Sequence, residues 1–206
     1  MTAPRKDTLE TRRLLLDAAE KLFAEQGIDN VSLIDIGRAA GQKNRNATQY
    51  HFGDKASLLN AVLDRHTDLI AERRRVMLDA LRDKADISLR DAVEVFVLPV
   101  AEHVAASDTS LAFLLINSQL MTSRDWPDMG SSRADSMPEV REMSALFARL
   151  QPTTDSETLR GKLLLIRSML HHGLASFHMH YPRKDASRFT VTLCAGIEAV
   201  MAHAGE

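Results

Sequence analysis

At 206 residues, 45% of them apolar, the chain is long enough for one large or two small domains with a core that needs no staples. Its single thiol, Cys194, excludes an intramolecular disulfide or a thiolate metal cluster and suits a reducing cytoplasm, and no apolar run reaches the ~18 residues of a membrane span. The net charge of −2 conceals a mild gradient: residues 1–75 carry 13 Lys/Arg against 11 Asp/Glu and residues 76–206 carry 13 against 17, so a weakly basic end precedes an acidic body.

The opening, MTAPRKDTLETRR, has no apolar stretch ahead of its charges and so no visible secretory signal. A first helix is expected to start near Thr8 or Thr11 and run to Gln26. Leu15, Ala18, Ala19, Leu22 and Phe23 form its buried stripe, and Gly27 ends it. Arg5, Lys6, Arg12 and Arg13 precede or open this helix, either as a solvated end or as an arm touching phosphate. Ser32 N-caps a second helix, Asp35 answers it as a capping-box variant, and Leu33, Ile36 and Ala40 share one face. Gly37 inside this helix costs about 0.5–1 kcal/mol relative to alanine, whereas Gly41 supplies the positive φ that leaves it. Next come Gln42, Lys43, Asn44, Arg45, Asn46, Thr48, Gln49 and Tyr50, nearly all hydrogen-bonding side chains, with Ala47, Thr48, His51 and Phe52 expected to face inward. From Arg38 to Lys55 the cations are Arg38, Lys43, Arg45 and Lys55, against Asp54 alone. Two short helices joined by a tight turn, the second offering Arg, Asn and Gln at its start, suit the reading of base edges.

Gly53-Asp54 breaks the chain and caps a long fourth helix opened by Lys55, whose stripe is read through Leu58, Leu59, Val62, Leu63, Leu69, Ile70, Val76, Met77 and Leu81. The run Glu72-Arg73-Arg74-Arg75 reads as its solvated face. Further helices are expected over residues 88–106, interrupted by Pro99, and over 110–122, 139–150, 156–180 and 186–204, the last two joined at Pro182. Residues 125–138, with Pro127, Gly130 and several serines, read as a loop.

The run TRRLLLDAAEKLFAEQGIDNVSLIDIGRAAG resembles the N-terminal DNA-binding domain of the tetracycline-repressor (TetR) family. Leu15, Leu16, Ala18, Ala19, Leu22, Phe23, Gly27, Val31, Ile36, Ala40 and Gly41 carry the likeness in fixed register, joined by His51, Phe52, Lys55 and Leu58. Two departures stand out. The span from Gly41 to Phe52 is one residue longer than is usual in the family. The usual Leu-Tyr-x-His-Phe becomes Thr48-Gln49-Tyr50-His51-Phe52, so either Gln49 or Tyr50 takes the tyrosine's phosphate contact. The resemblance implies an all-α protein of about nine to ten helices, with a three-helix helix–turn–helix domain over 1–54 and a helical effector-binding and dimerisation domain over 55–206. It also implies that the last helix pair forms a four-helix bundle with its twin in a second subunit; Leu163, Ile166, Leu170, Leu174, Phe177, Leu193, Ile197 and Val200 are the candidate contacts. An apolar effector cavity is implied within the second domain, and Phe96, His103, Phe113, Asn117, Met121, Trp126 and His171 are its candidate lining. Few Lys or Arg lie within the apolar runs, which favours a lipophilic effector over an anionic one.

Side-chain chemistry sorts the DNA-facing candidates. Arg45 suits guanine O6/N7, and Asn46 or Gln49 suits adenine N6/N7. Ser32, Lys43, Tyr50 and Lys55 suit phosphate, with Asn44 and Thr48 completing the set. His171, His172, His178 and His180 crowd one helix, but no pair has the i, i+4 spacing of a helix-borne metal pair, so packing is expected and no metal. No nucleophile-elbow, Walker or dinucleotide motif is present, so neither catalysis nor a cofactor is expected. The sequence therefore points to a cytoplasmic homodimeric repressor that grips a palindromic double-stranded operator, with half-sites about 34 Å or a multiple apart, and that a small effector releases. Two rivals stand beside it: a ligand-independent activator or architectural DNA binder, and a helical small-molecule or metal-binding module without DNA reading.

Overall fold

The computed structural model describes residues 6–107, 109–123, 125–126, 129, 133, 136–181 and 185–203. Among these it shows nine helices and no strand. Arg5, Pro127, Gly130, Pro182 and the Lys6 side chain lie outside the described residues. Contacts divide the chain into two compact units, one ending at Thr67 and one starting at Asp68.

The first unit holds α1 (Lys6–Gln26), α2 (Leu33–Ala39), α3 (Ala47–Phe52) and the start of α4 (Lys55–Arg82). Helix α1 packs on α2, and α2 on α3. Leu15, Ala19 and Phe23 recur at helical spacing on α1 and are fully buried, together with Ile36 of α2 and Leu58, Leu59 and Val62 of α4. A charged cluster was not anticipated from sequence. Glu20 is buried, its Oε2 accepting from Arg65 Nη1 at 3.0 Å and its Oε1 from His66 Nε2 at 2.5 Å. Arg65 Nη2 also donates to Asp17 at 2.7 Å. A buried carboxylate is tolerated where donors answer its lone pairs, and these bonds tie the start of α4 to α1. The boundary expected after residue 54 thus marks where α4 begins, while the packing boundary falls inside that helix.

The second unit comprises the rest of α4 with α5 (Leu89–Ala106), α6 (Ser110–Thr122), α7 (Pro138–Leu150), α8 (Ser156–His180) and α9 (Ser187–Ala202). Helix α5 contacts α6, α7 and α9, and α8 contacts α6 and α9. That central place follows from composition: Val93, Val95, Phe96, Val97, Val100 and Val104 bury several sides of α5. Pro99 does not interrupt it; the helix runs through and the ring is buried with the valines. Ser88 opens α5 with a full capping box to Asp91. Lys84 Nζ reaches the same carboxylate at 2.6 Å and, with the Ser88 amide, holds its pKa down to about 2.

Two sequence expectations are corrected here. Within 125–138, Met129, Arg133 and Ser136 are helical, and Ser136 Oγ donates to the Arg133 carbonyl at 2.7 Å, so this serine bonds back into a helical turn. On α4 the buried line is Ile70, Arg74, Leu78 and Leu81, whereas Leu69 and Val76 are exposed.

Candidate nucleic-acid interface

Ser32 caps α2 as its sequence requires: Asp35 N–H donates to Ser32 Oγ at 3.2 Å, and the Ser32 amide donates back to Asp35 Oδ2 at 3.3 Å. The Ser32 hydroxyl also donates to Asp35 Oδ2 at 2.5 Å, and these bonds hold the Asp35 carboxyl below the usual carboxylate range. Both Ser32 donors are therefore engaged, and a phosphate contact there requires exchange of a cap bond. At the other end, Gly41 (φ 69°) donates to the Arg38 carbonyl at 3.0 Å and Gln42 N–H to the Gly37 carbonyl at 2.9 Å, a Schellman ending.

The chain then turns before α3 begins. Asn44 Oδ1 accepts the Asn46 N–H at 3.0 Å and the Asn44 carbonyl accepts the Ala47 N–H at 3.1 Å, an Asx turn. Arg45 and Asn46 were expected at the start of the reading helix, but α3 starts at Ala47 and both sit in this turn. A Cβ at Gly37 would stand 3.1 Å from Thr48 Oγ1, so the bare glycine is what lets α2 and α3 approach this closely.

Burial divides the candidate residues. Ala47, Thr48 and Phe52 are buried, and His51 is half-buried. Lys43, Asn44, Arg45, Asn46, Gln49 and Tyr50 are exposed, Tyr50 to 82%. The side chains of Lys43, Arg45, Gln49 and Tyr50 make no hydrogen bond among the described residues, so their polar groups face outward unspent. Lys55 Nζ rests on the Asp29 carbonyl at 3.3 Å. Thr48 is withdrawn from the candidate set: it has no exposed surface, and its hydroxyl lacks a hydrogen-bond partner among the described residues.

One residue that positions this surface was read only as a solvated end or a phosphate arm. Arg12 Nη1 donates to the His51 carbonyl at 2.9 Å, and its guanidinium lies 4.1 Å from the centre of the Phe52 ring. A cation thus caps the C-terminal end of α3, where unpaired carbonyls concentrate negative charge. The signal was in the spacing, since Arg12 falls in phase with the buried Leu15, Ala19 and Phe23.

Residues 15–62 match the family described as bacterial regulatory proteins, tetR family. Over that segment the chain is similar to the TetR family's DNA-binding domain. It is 37% identical over 68 residues to AcrR of Shigella flexneri, an HTH-type transcriptional regulator, covering 33% of this chain and 31% of AcrR. With ComR of Escherichia coli (strain K12), an HTH-type transcriptional repressor, it shares 30% identity over 122 residues, 59% of this chain and 55% of ComR. The matched stretches thus span only about a third to a half of the length of these relatives. The crystal structure of NalD, the secondary repressor of the MexAB-OprM multidrug efflux pump in Pseudomonas aeruginosa, superposes with a TM-score of 0.61 at 23% identity, over 95% of this chain and 98% of NalD. That likeness shows a shared fold.

In the second unit the expected effector residues are only partly brought together. The His103 ring centre lies 6.1 Å from that of Phe113, and Phe113 lies 6.4 Å from His171. Phe96 packs instead on Phe147 at 6.3 Å. Asn117 spends its amide on the Phe113 carbonyl at 2.8 Å, and Met121 and Trp126 are half-buried. A cavity of about 700 Å³ opens elsewhere, between α4 and α7 around Leu78, Leu81, Leu146 and Leu150, and none of the seven candidates lines it.

Five of the eight expected dimer contacts are buried within the subunit itself. Ile166, Leu170 and Leu174 of α8 and Leu193 and Ile197 of α9 are buried within the subunit's own core, and Leu163, Phe177 and Val200 are half-buried. Phe177 stacks on Phe189 of the same chain, ring centres 4.6 Å apart. Both helices carry apolar residues on two sides; the side left open presents Leu164, Leu165 and Met179 on α8 and Val191 on α9.

Proposed function

We propose that the chain is a dimeric transcriptional repressor that reads a two-fold symmetric DNA operator and is released by a small effector. The observation that carries this reading is the outward set Lys43, Arg45, Asn46, Gln49 and Tyr50, held on a capped turn and a short helix with no internal use for its polar groups. Arg45 is the base reader for guanine, Asn46 or Gln49 for adenine, and Lys43, Tyr50, Lys55 and, after exchange of its cap bond, Ser32 hold phosphate. The first unit is the reading head and the second the effector-binding and dimerising body. Pairing through Leu164, Leu165, Met179 and Val191 delivers two heads to one cytoplasmic operator. Repression is the sign of control in ComR and NalD, both repressors. An effector acts by binding better to the form that does not hold DNA, which is all that linkage requires.

Footprinting of the purified protein on selected DNA fragments tests this. Symmetric protected half-sites are expected. Arg45→Ala should relax preference at one base pair per half-site, while Lys55→Ala should weaken all sequences alike. Uniform weakening by both substitutions would contradict the assigned roles, and no protection at all would remove the DNA-binding reading.

A further inference from the structure

The arginine triplet of α4 separates on folding. Arg73 closes on Glu102 through Nε at 2.7 Å and Nη2 at 3.1 Å, and Arg75 pairs with Glu72, all at exposed positions. Arg74 turns inward and is 5% exposed, and its buried Nε has no hydrogen-bond partner among the described residues. The carboxylate that acts on it is Glu139, itself buried in the first turn of α7, and the two do not close into an ion pair. Burial lowers the guanidinium pKa to about 10, which still leaves it charged at neutral pH. A guanidinium carries five N–H donors in a rigid planar fork, and an interior keeps such a charge only where an anion answers it.

The surroundings fit an incoming ligand. His171 of α8 lies within electrostatic reach of Arg74, and its Nδ1–H donates to the Arg167 carbonyl at 3.0 Å. Burial, reinforced by Arg167 and Arg74, lowers the His171 pKa to about 4, so this ring is neutral at physiological pH and adds no second cation. It continues into Phe113 and His103 as apolar ring surface. The 700 Å³ cavity opens one helical turn beyond Arg74 on α4, at Leu78, and one turn beyond Glu139 on α7, at Glu142. A buried guanidinium with an unpartnered Nε thus stands a single turn from open volume lined by Leu78, Leu81, Leu146 and Leu150 together with the charged Arg82, Lys84, Asp86, Glu142 and Arg149.

We infer that the effector of the second unit is a monocarboxylate with an apolar body, whose two oxygens close the Arg74 fork. This rests on the reading of that unit as the effector-binding body, and it replaces the sequence preference for an effector without charge. The hydrocarbon or aryl part suits the leucines and rings around the fork.

The test uses the full-length protein and calorimetric titration with octanoate, decanoate and 2-naphthoate, each beside its uncharged primary amide. At least one acid is expected to bind about tenfold more tightly than its amide, the scale of one charge-assisted hydrogen bond. Arg74→Met should bring that ratio to about one. Arg74→Lys, which keeps the charge and loses the fork, should give an intermediate ratio and serves if the methionine variant fails to fold. Three results overturn the inference: equal binding of acid and amide, no binding of any acid, or a preference that survives both substitutions. Operator footprints of the same samples separate this from the DNA-reading assignment. An intact footprint with no acid preference sinks only the carboxylate, and a lost footprint with the preference intact sinks only the reading head.

Discussion

Arg12 offers a clean choice between two physical roles. As an arm it would hold phosphate; as the structure has it, it caps and stacks on α3. Substituting Arg12→Ala removes a charge-assisted hydrogen bond of 2.9 Å to the His51 carbonyl and a guanidinium 4.1 Å above Phe52. The bond is half-buried, so the low end of the usual range applies, about 1.5 kcal/mol, and the stacked cation adds about 0.5 kcal/mol. The expected loss is therefore about 2 kcal/mol from the N-terminal unit, read as a lower urea midpoint by circular dichroism. Affinity for a footprinted operator should fall at every salt concentration, because α3 is less well held, with the slope of log affinity against log salt unchanged. Arg12→Lys should recover the charge but not the planar stack, and so only part of the stability. The opposite pattern refutes this reasoning: unaltered stability with a salt slope smaller by about 0.9, the loss of one phosphate contact.

Three further outcomes follow from particular contacts. Thr48→Val replaces a buried, unpartnered hydroxyl by a methyl of the same shape and should raise stability by about 1 kcal/mol in urea with operator affinity intact; a loss of stability would show that the hydroxyl is bonded after all. The Asp91 pKa is lowered from 3.8 to about 2 on folding, so its stabilising contribution is complete above about pH 4 and is lost as pH falls through 2. Urea titrations from pH 5 to 2 should show Asp91→Asn less stable by about 1 kcal/mol, allowing for the exposure of Lys84, and the gap should close at the acid end; a gap independent of pH would remove the carboxylate from the account. Leu164→Glu with Val191→Glu places charge on the open face of α8 and α9 and should yield a folded monomer in sedimentation with operator affinity lost; a dimer that survives both changes would place the interface elsewhere.

Much of the architecture was readable because its determinants are local. Ser32 with Asp35, the Gly27 and Gly41 endings, and the apolar spacing of Leu15, Ala19 and Phe23 each act within one or two helical turns, so residue order alone reveals them. The outward polar cluster was legible for the same reason: a run of side chains with hydrogen-bonding ends has nowhere to go but solvent or a partner. What was missed depends on a second element. Thr48 is buried because α2 comes close at Gly37, and Arg12 bends to α3 because the end of that helix lies beside it. The expected dimer contacts were drawn from both apolar faces of α8 and α9, and composition cannot say which one the subunit keeps for itself.

Helix phase accounts for the largest difference between sequence and structure, and it does so with residues that were visible throughout. On α4 the apolar side chains do not form one stripe: Leu69 and Val76 would place one face inward, Ile70, Leu78 and Leu81 another. Both sets keep helical spacing, but only the second is buried, and its steps of four and three pass through position 74. Following the apolar residues without regard to phase left all three arginines on the outside; following the phase leaves the middle one inside, whatever its charge. A guanidinium in that position is costly: its Nε is unpartnered among the described residues, and Glu139 acts on it without closing an ion pair. It is this open donor, in register with leucines, that the inferred carboxylate would complete.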